Sequence, residues 1–200
     1  MEQQALLEEL ERLRLLNQKL IAQKDEEKER VLFRAEQDPL TQLWLSKRAK
    51  TEIQERLDRL PEDCISSLIV LDIDHFCTVN VARGRMFGDM VLQRIGDLLR
   101  RLAQHGRVNG ENGVAARMGG DEFLLFLPGV ERDTCMSIIE KLRTSIASAY
   151  IDDERRHLLC ASIGLTVCTE HDAGILIDNA FAALYYAQQF NAGSFSIYED

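Results

Sequence analysis

Two hundred residues and 22.8 kDa suit one globular domain with an appendage and are too few for two sizeable domains. The 24 Lys and Arg against 33 Asp and Glu give a net charge of −9, which excludes a nucleic-acid groove needing Lys and Arg for its phosphates. No apolar run approaches the roughly 20 residues that cross a bilayer, and the acidic Met1–Leu10 stretch is no signal peptide. Five cysteines without a CxxC pair and four scattered histidines argue for reduced thiols, a cytoplasmic location and no zinc site.

Met1–Glu36 has no Gly or Pro and is dense in Glu, Lys, Arg, Gln and Leu, all good helix formers. Leu6, Leu10, Leu13, Asn17, Leu20, Lys24, Glu27 and Val31 recur at heptad spacing, with Asn17 and Lys24 at core positions. One Asn there fixes a parallel two-stranded register. The seam stays apolar for about two heptads and turns polar over Gln23–Arg30. A coiled coil joining two copies is the favoured expectation, and a lone amphipathic helix folded on the domain is the alternative. Residues 37–200 form the second unit.

Asp38-Pro39 breaks the helix, because proline disfavours helical geometry in the residue before it. A helix is expected over Ser46–Leu60, ending at Pro61, and Ser67–Asp72 is an apolar run suited to a strand buried on both faces. An irregular stretch then leads to a helix over Met90–Gln104, with Leu92, Ile95, Leu98, Leu99 and Leu102 on one face. Val114–Met118, the Gly119-Gly120-Asp121 turn and Glu122–Leu127 spell a hairpin. Helix over Glu131–Ala149, strand over Leu158–Val167, helix over Ile175–Phe190 and strand over Phe195–Tyr198 complete the order. One sheet covered by helices, an α/β or α+β sandwich, is the economical packing.

Asp72 and Asp74 close an otherwise aliphatic strand, and Asp121 and Glu122 sit in the hairpin turn. If the hairpin pairs beside that strand, the carboxylates converge at one sheet edge. Their repulsion is relieved by protonation or by a divalent cation. Oxygen-only ligands favour Mg²⁺ or Mn²⁺, and Mg²⁺ commonly completes its shell with substrate phosphates. A plain tight turn and a strand ending at solvent remain equally open on the residues alone.

Met118-Gly119-Gly120-Asp121-Glu122-Phe123 resembles the signature turn of the GGDEF domain, the diguanylate cyclases. The resemblance runs from Asp38 to Tyr198. Asp38-Pro39-Leu40-Thr41 is similar to the family's leading motif, and Leu71-Asp72-Ile73-Asp74-His75-Phe76 to its first metal-binding strand end. Asn80, Gly84, Gly88-Asp89 and Leu92 follow in family order, with Ser162-Ile163-Gly164 and Ala183-Leu184-Tyr185 and Ala187 later in the chain. The resemblance implies a palm-like nucleotide-cyclase fold with a central, mostly antiparallel sheet. It implies a dimer that joins two GTP into cyclic di-GMP with loss of pyrophosphate. Asp72, Asp121 and the Ile73 carbonyl would hold Mg²⁺ or Mn²⁺. Asp121 and Glu122 would act at the reacting centre, with Glu122 open between metal ligand and proton acceptor. Phe76, Gly119 and Gly120 would line the nucleotide, the glycines because a Cβ would obstruct it. Asn80 and Asp89 match guanine-reading positions, with a turn-stabilising role for Asn80 and a helix N-cap for Asp89 as alternatives.

The departures concern the phosphates. The family's cations at three positions correspond here to Cys77, Gln188 and Ala192. A charge-assisted hydrogen bond contributes about 1.5–3 kcal/mol, so weaker GTP binding is expected. Backbone N–H groups over His75–Val79, and Arg83 and Arg85, stand nearby in sequence as candidate substitutes. Gln42 replaces a glycine, Leu45-Ser46 an Asn-Arg pair and Val81 an aspartate. The family's product-inhibition motif falls on Gly110 and Gly113, so feedback through it is not expected. A diguanylate cyclase is the expected function. The alternatives are a degenerate module that binds GTP or relays dimerisation without efficient turnover, and a scaffold in which only the helix works.

Overall fold

The computed structural model describes residues 2–104, 107–108, 110–148 and 159–198. Two units emerge, Met1–Gln37 and Asp38–Asp200. The first is a single helix, α1 (Glu2–Ala35). Leu13, Leu16, Leu20, Ile21 and Val31 are each more than half exposed along it. No helix among the described residues is long and apolar enough to cross a membrane.

The second unit runs β1 (Trp44–Leu45), α2 (Ser46–Leu57), β2 (Ser66–Ile73), α3 (Phe76–Arg83), α4 (Arg85–Leu102), β3 (Arg107–Val108) and β4 (Glu111–Asn112). It continues through β5 (Val114–Gly119), β6 (Glu122–Pro128), α5 (Arg132–Ser148), β7 (Ala161–Cys168), α6 (Ala173–Gln188) and β8 (Phe195–Tyr198). Six strands form one sheet in the order β1-β5-β6-β2-β7-β8, and β3 and β4 form a separate ribbon. The inner pairings β5–β6, β6–β2 and β2–β7 are antiparallel, while β1–β5 and β7–β8 are parallel. This is the palm-like α/β sandwich that the sequence implied.

Period-two alternation sorts the central strands onto two cores. Ile69, Leu71, Ile73, Phe123, Leu125 and Leu127 face one, completed by Val91, Ile95 and Leu99 of α4 and Ile138, Ile139 and Leu142 of α5. Leu68, Val70, Leu124 and Phe126 face the other, covered by Ala49, Ile53 and Leu57 of α2 and Leu176, Ala180 and Leu184 of α6. Gly164 sets how closely α6 can lie. A Cβ there would stand 2.2 Å from the Ala180 carbonyl oxygen and 2.3 Å from the Leu184 nitrogen.

Several expectations need correction. The irregular stretch after β2 is helix α3, and α4 begins at Arg85 rather than Met90. Gly84, at φ 83°, separates the two helices, so the interruption is one residue long. Helix α2 stops at Leu57, short of Pro61. Strands β1, β3 and β4 have two residues each, too few for an alternating pattern to register. The expected ends at Ala149 and Leu158 lie outside the described residues.

Candidate functional site

The register places the acidic features side by side. Asp72 pairs directly with Glu122 across β2 and β6, and with Ser162 across β2 and β7. Directly opposed residues share a face of the sheet, and like charges there repel. The hairpin closes between Gly119 and Glu122, leaving Gly120 and Asp121 as the turn. Gly120 takes φ 48°, a left-handed conformation that suits glycine, and a Cβ at Gly119 or Gly120 would meet open space. Those two glycines are therefore not required by internal packing on the described side of the turn.

Burial pushes the Asp72 carboxyl up to about 6, reinforced by the charges of Asp121, Glu122 and Asp74. The nearby Gln188 side chain opposes the rise. A carboxylate raised this way is one whose negative charge lacks a counter-charge. No three His, Cys, Asp or Glu side chains among the described residues are gathered to hold a metal ion by themselves. The donor chemistry of Asp72 and Asp121 is all oxygen. The Ile73 side chain is buried in the core, at 1% exposure, so only its backbone is left to serve the site.

Asp74 stands apart from this group. Its Oδ1 accepts from the Ser162 hydroxyl at 2.7 Å and its Oδ2 from the Gly193 backbone N–H at 2.7 Å. The two strand-end aspartates thus do different things. Next to Asp74, His75 adopts φ 57°, and the chain turns there into α3.

The expected guanine-reading residues lie on consecutive helices, Asn80 on α3 and Asp89 on α4. A Cβ on Gly88 would lie 1.9 Å from Asn80 Oδ1 and 3.1 Å from Phe76 Cζ, so Gly88 admits both side chains. Asn80 lies inside α3, and its Oδ1 is buried with no hydrogen-bond partner. A buried acceptor without a donor is costly, and the turn-stabilising role is excluded by its helical position. Asp89 is exposed on the fifth residue of α4, whose N-cap is Gly84, so the N-cap alternative fails as well.

The positions that lack cations are all exposed: Cys77 in the first turn of α3, Gln188 at the end of α6 and Ala192 beyond that end. Gly110 and Gly113 serve the backbone instead. Gly110 takes φ 87° in the β3–β4 turn, and the Gly113 N–H donates to the Ala103 carbonyl at 2.8 Å.

Arg117 escaped the sequence reading. Its Nε and Nη2 donate to the Gly120 carbonyl at 2.9 and 2.6 Å, and its Nη1 bonds both Asp38 oxygens at 3.0 and 3.1 Å. Asp38 also accepts from the Thr41 amide and hydroxyl. Burial works to raise the Asp38 pKa, but Thr41 and Arg117 outweigh it and hold it below the usual value. The leading motif is thereby fastened to the signature turn. A lone arginine in the apolar run Val-Ala-Ala-Arg-Met was the available signal.

Strand order, helical cover and an acidic hairpin beside an acidic strand end define a palm-like domain with carboxylates gathered at one end of two neighbouring central strands. The sequence model described as "Diguanylate cyclase, GGDEF domain" matches residues 35–193. The chain belongs to the GGDEF-domain family. It is 36% identical over 160 residues to diguanylate cyclase DgcP of Pseudomonas aeruginosa, covering 76% of this chain and 22% of that protein. It is 29% identical over 171 residues to a diguanylate cyclase of Vibrio cholerae, covering 82% of this chain and 50% of that one. The chain thus spans half or less of the length of these curated relatives. The coiled coil and GGDEF domain of DgcB from Caulobacter crescentus, solved with c-di-GMP, superposes with a TM-score of 0.74 at 23% identity. That match covers 92% of this chain and 97% of the other, and speaks to the fold.

Proposed function

We propose that this chain is a diguanylate cyclase, condensing two GTP into cyclic di-GMP with release of two pyrophosphates, as a dimer joined through α1. The observation that carries the reading is the Asp72–Glu122 pairing beside Asp121, with the Asp72 carboxyl lifted to about 6. Asp72, the Ile73 carbonyl and Asp121 would hold Mg²⁺ or Mn²⁺. When bound, the metal neutralises triphosphate charge and favours the nucleophilic form of the 3′-oxygen. Asp121 and Glu122 present carboxylates where the 3′-hydroxyl must lose its proton. Each 3′-oxygen attacks the α-phosphorus of the nucleotide on the facing copy. Asp89 and Asn80 read guanine, a carboxylate accepting from its N1–H and amino group, and Phe76, Gly119 and Gly120 line the nucleotide. The unpartnered Asn80 acceptor supports that assignment.

The reading carries a cytoplasmic location, in keeping with five free cysteines. The exposed Cys77, Gln188 and Ala192 favour a second reading, a module that binds GTP or relays dimerisation with little turnover. Incubating the purified chain with GTP and Mg²⁺ or Mn²⁺, then separating the nucleotides, decides between them. Cyclic dinucleotide that disappears in Asp121→Ala supports the cyclase. Micromolar GTP binding with no product at high protein concentration leaves the module.

A further inference from the structure

Asp74 spends both carboxylate oxygens on protein donors, and those donors come from two different parts of the fold. Ser162 belongs to β7, where it pairs with Asp72 in the ladder. Gly193 belongs to the turn joining α6 to β8. The backbone of Asp74 adds a third tie, its N–H donating to the Cys160 carbonyl at 3.0 Å. Gly193 sits against the same Cys160, since a Cβ there would stand 3.2 Å from the Cys160 Cβ, and its φ of 77° keeps the turn sharp. A carboxylate accepting two short bonds, one from a backbone N–H, fixes its donors with more energy than a neutral acceptor would.

The clasped turn bears on the site. It follows directly from Gln188, the last residue of α6, and it contains Ala192. The strand end is therefore tied to the turn after α6 through Asp74. Asp74 takes the backbone five residues beyond the last helical residue. No cation at Gln188 or Ala192 draws this segment toward a nucleotide, so its position depends on the protein's own bonds.

We propose that Asp74 is a positioning residue that holds the α6–β8 turn against the metal-bearing strand end and so sets the wall along the triphosphate of GTP. The assignment rests on the cyclase reading of the same site. It makes Asp74 a clasp, distinct from a metal ligand, although it is two residues from Asp72.

The test uses the full chain and the variants Asp74→Asn, Asp74→Ala and Ser162→Ala. Amide hydrogen exchange without nucleotide reads the clasp. Calorimetry with Mg²⁺ and either GTP or GMP reads the wall. Asp74→Ala is expected to speed exchange at Gly193 about tenfold and to weaken GTP binding about three- to tenfold. GMP, lacking the outer phosphates, should lose less than twofold. Ser162→Ala, which keeps the carboxylate and removes one donor, should shift both readings in the same direction by less. The Mg²⁺ concentration giving half-maximal GTP binding should stay unchanged in all three variants. A tenfold rise in that concentration with Gly193 exchange unaltered would make Asp74 a ligand and overturn the proposal. Equal losses for GTP and GMP would overturn it too, by reducing Asp74 to general stability. A wild-type chain that binds no GTP sinks the cyclase reading and the wall with it, while exchange at Gly193 still decides whether the clasp exists.

Discussion

A carboxylate that is half-buried and opposed by others across a strand ladder ionises reluctantly unless a cation joins it. Asp72 takes up its proton at about 6 in the folded chain against 3.8 ordinarily. The folded state therefore binds more protons between those values. Through this group, stability is greatest below about pH 4 and falls as pH rises toward 6. On the cyclase reading Mg²⁺ would bind the ionised form, so the thermal shift it produces should be small at pH 5 and grow by pH 7.5. A shift of the same size at both values would remove Asp72 from the metal site. Gln188 offers a companion prediction. Gln188→Lys restores a cation where the family resemblance places one and, on the cyclase reading, should tighten GTP binding about tenfold. Titration calorimetry measures it.

Between elements, the leading motif and the signature turn act as one assembly because Arg117 serves both. The Asp38 and Arg117 side chains are only 12% and 14% exposed. Removing one partner of a largely buried pair leaves the other charge uncompensated. Arg117→Met should cost about 2–3 kcal/mol in denaturant melts. The variant should also weaken the acid limb that Asp38 supplies without abolishing it, because the Thr41 hydroxyl and amide still donate to Asp38. A carboxylate held below its usual value contributes stability at neutral pH that disappears as pH falls through its folded pKa. Helix α2 offers a gain. Its N-cap, Leu45, makes no side-chain cap bond, where the family resemblance places an asparagine. Leu45→Asn should stabilise the chain by about 1 kcal/mol, read as a rise in melting temperature. Gln42, at φ 60°, likewise occupies a left-handed position where the family has glycine. Its side-chain amide donates to the Pro39 carbonyl at 3.0 Å.

At the scale of the whole molecule, the proposed cyclisation of two nucleotides held on two copies requires those copies to meet. The helix α1 carries Leu13 and Leu20 exposed along it at 54% and 55%. An isolated helix with such a stripe gains by pairing. Leu13→Glu with Leu20→Glu should convert dimers to monomers in sedimentation at micromolar concentration. Product formation should then rise with the square of protein concentration, while GTP affinity per chain stays the same. A double variant that remains dimeric would place the contact outside this seam.

The sequence alone determined the helix of α1, the aliphatic strand β2 and the acidic hairpin, because each is written in local periodicity or in a run of adjacent residues. It also made Asp72 and Asp121 candidates through their residue type and their place at strand ends. Tertiary structure decided what no local pattern encodes. The ladder set Asp72 opposite Glu122, since register depends on pairing across some 50 positions of chain. It separated Asp74 from Asp72, two residues apart and alike in chemistry, by bringing Ser162 and Gly193 to one of them. It gave Arg117 its purpose, because Asp38 lies 79 positions away along the chain. Side-chain hydrogen bonds form where donors meet in space, and that meeting is a product of the fold.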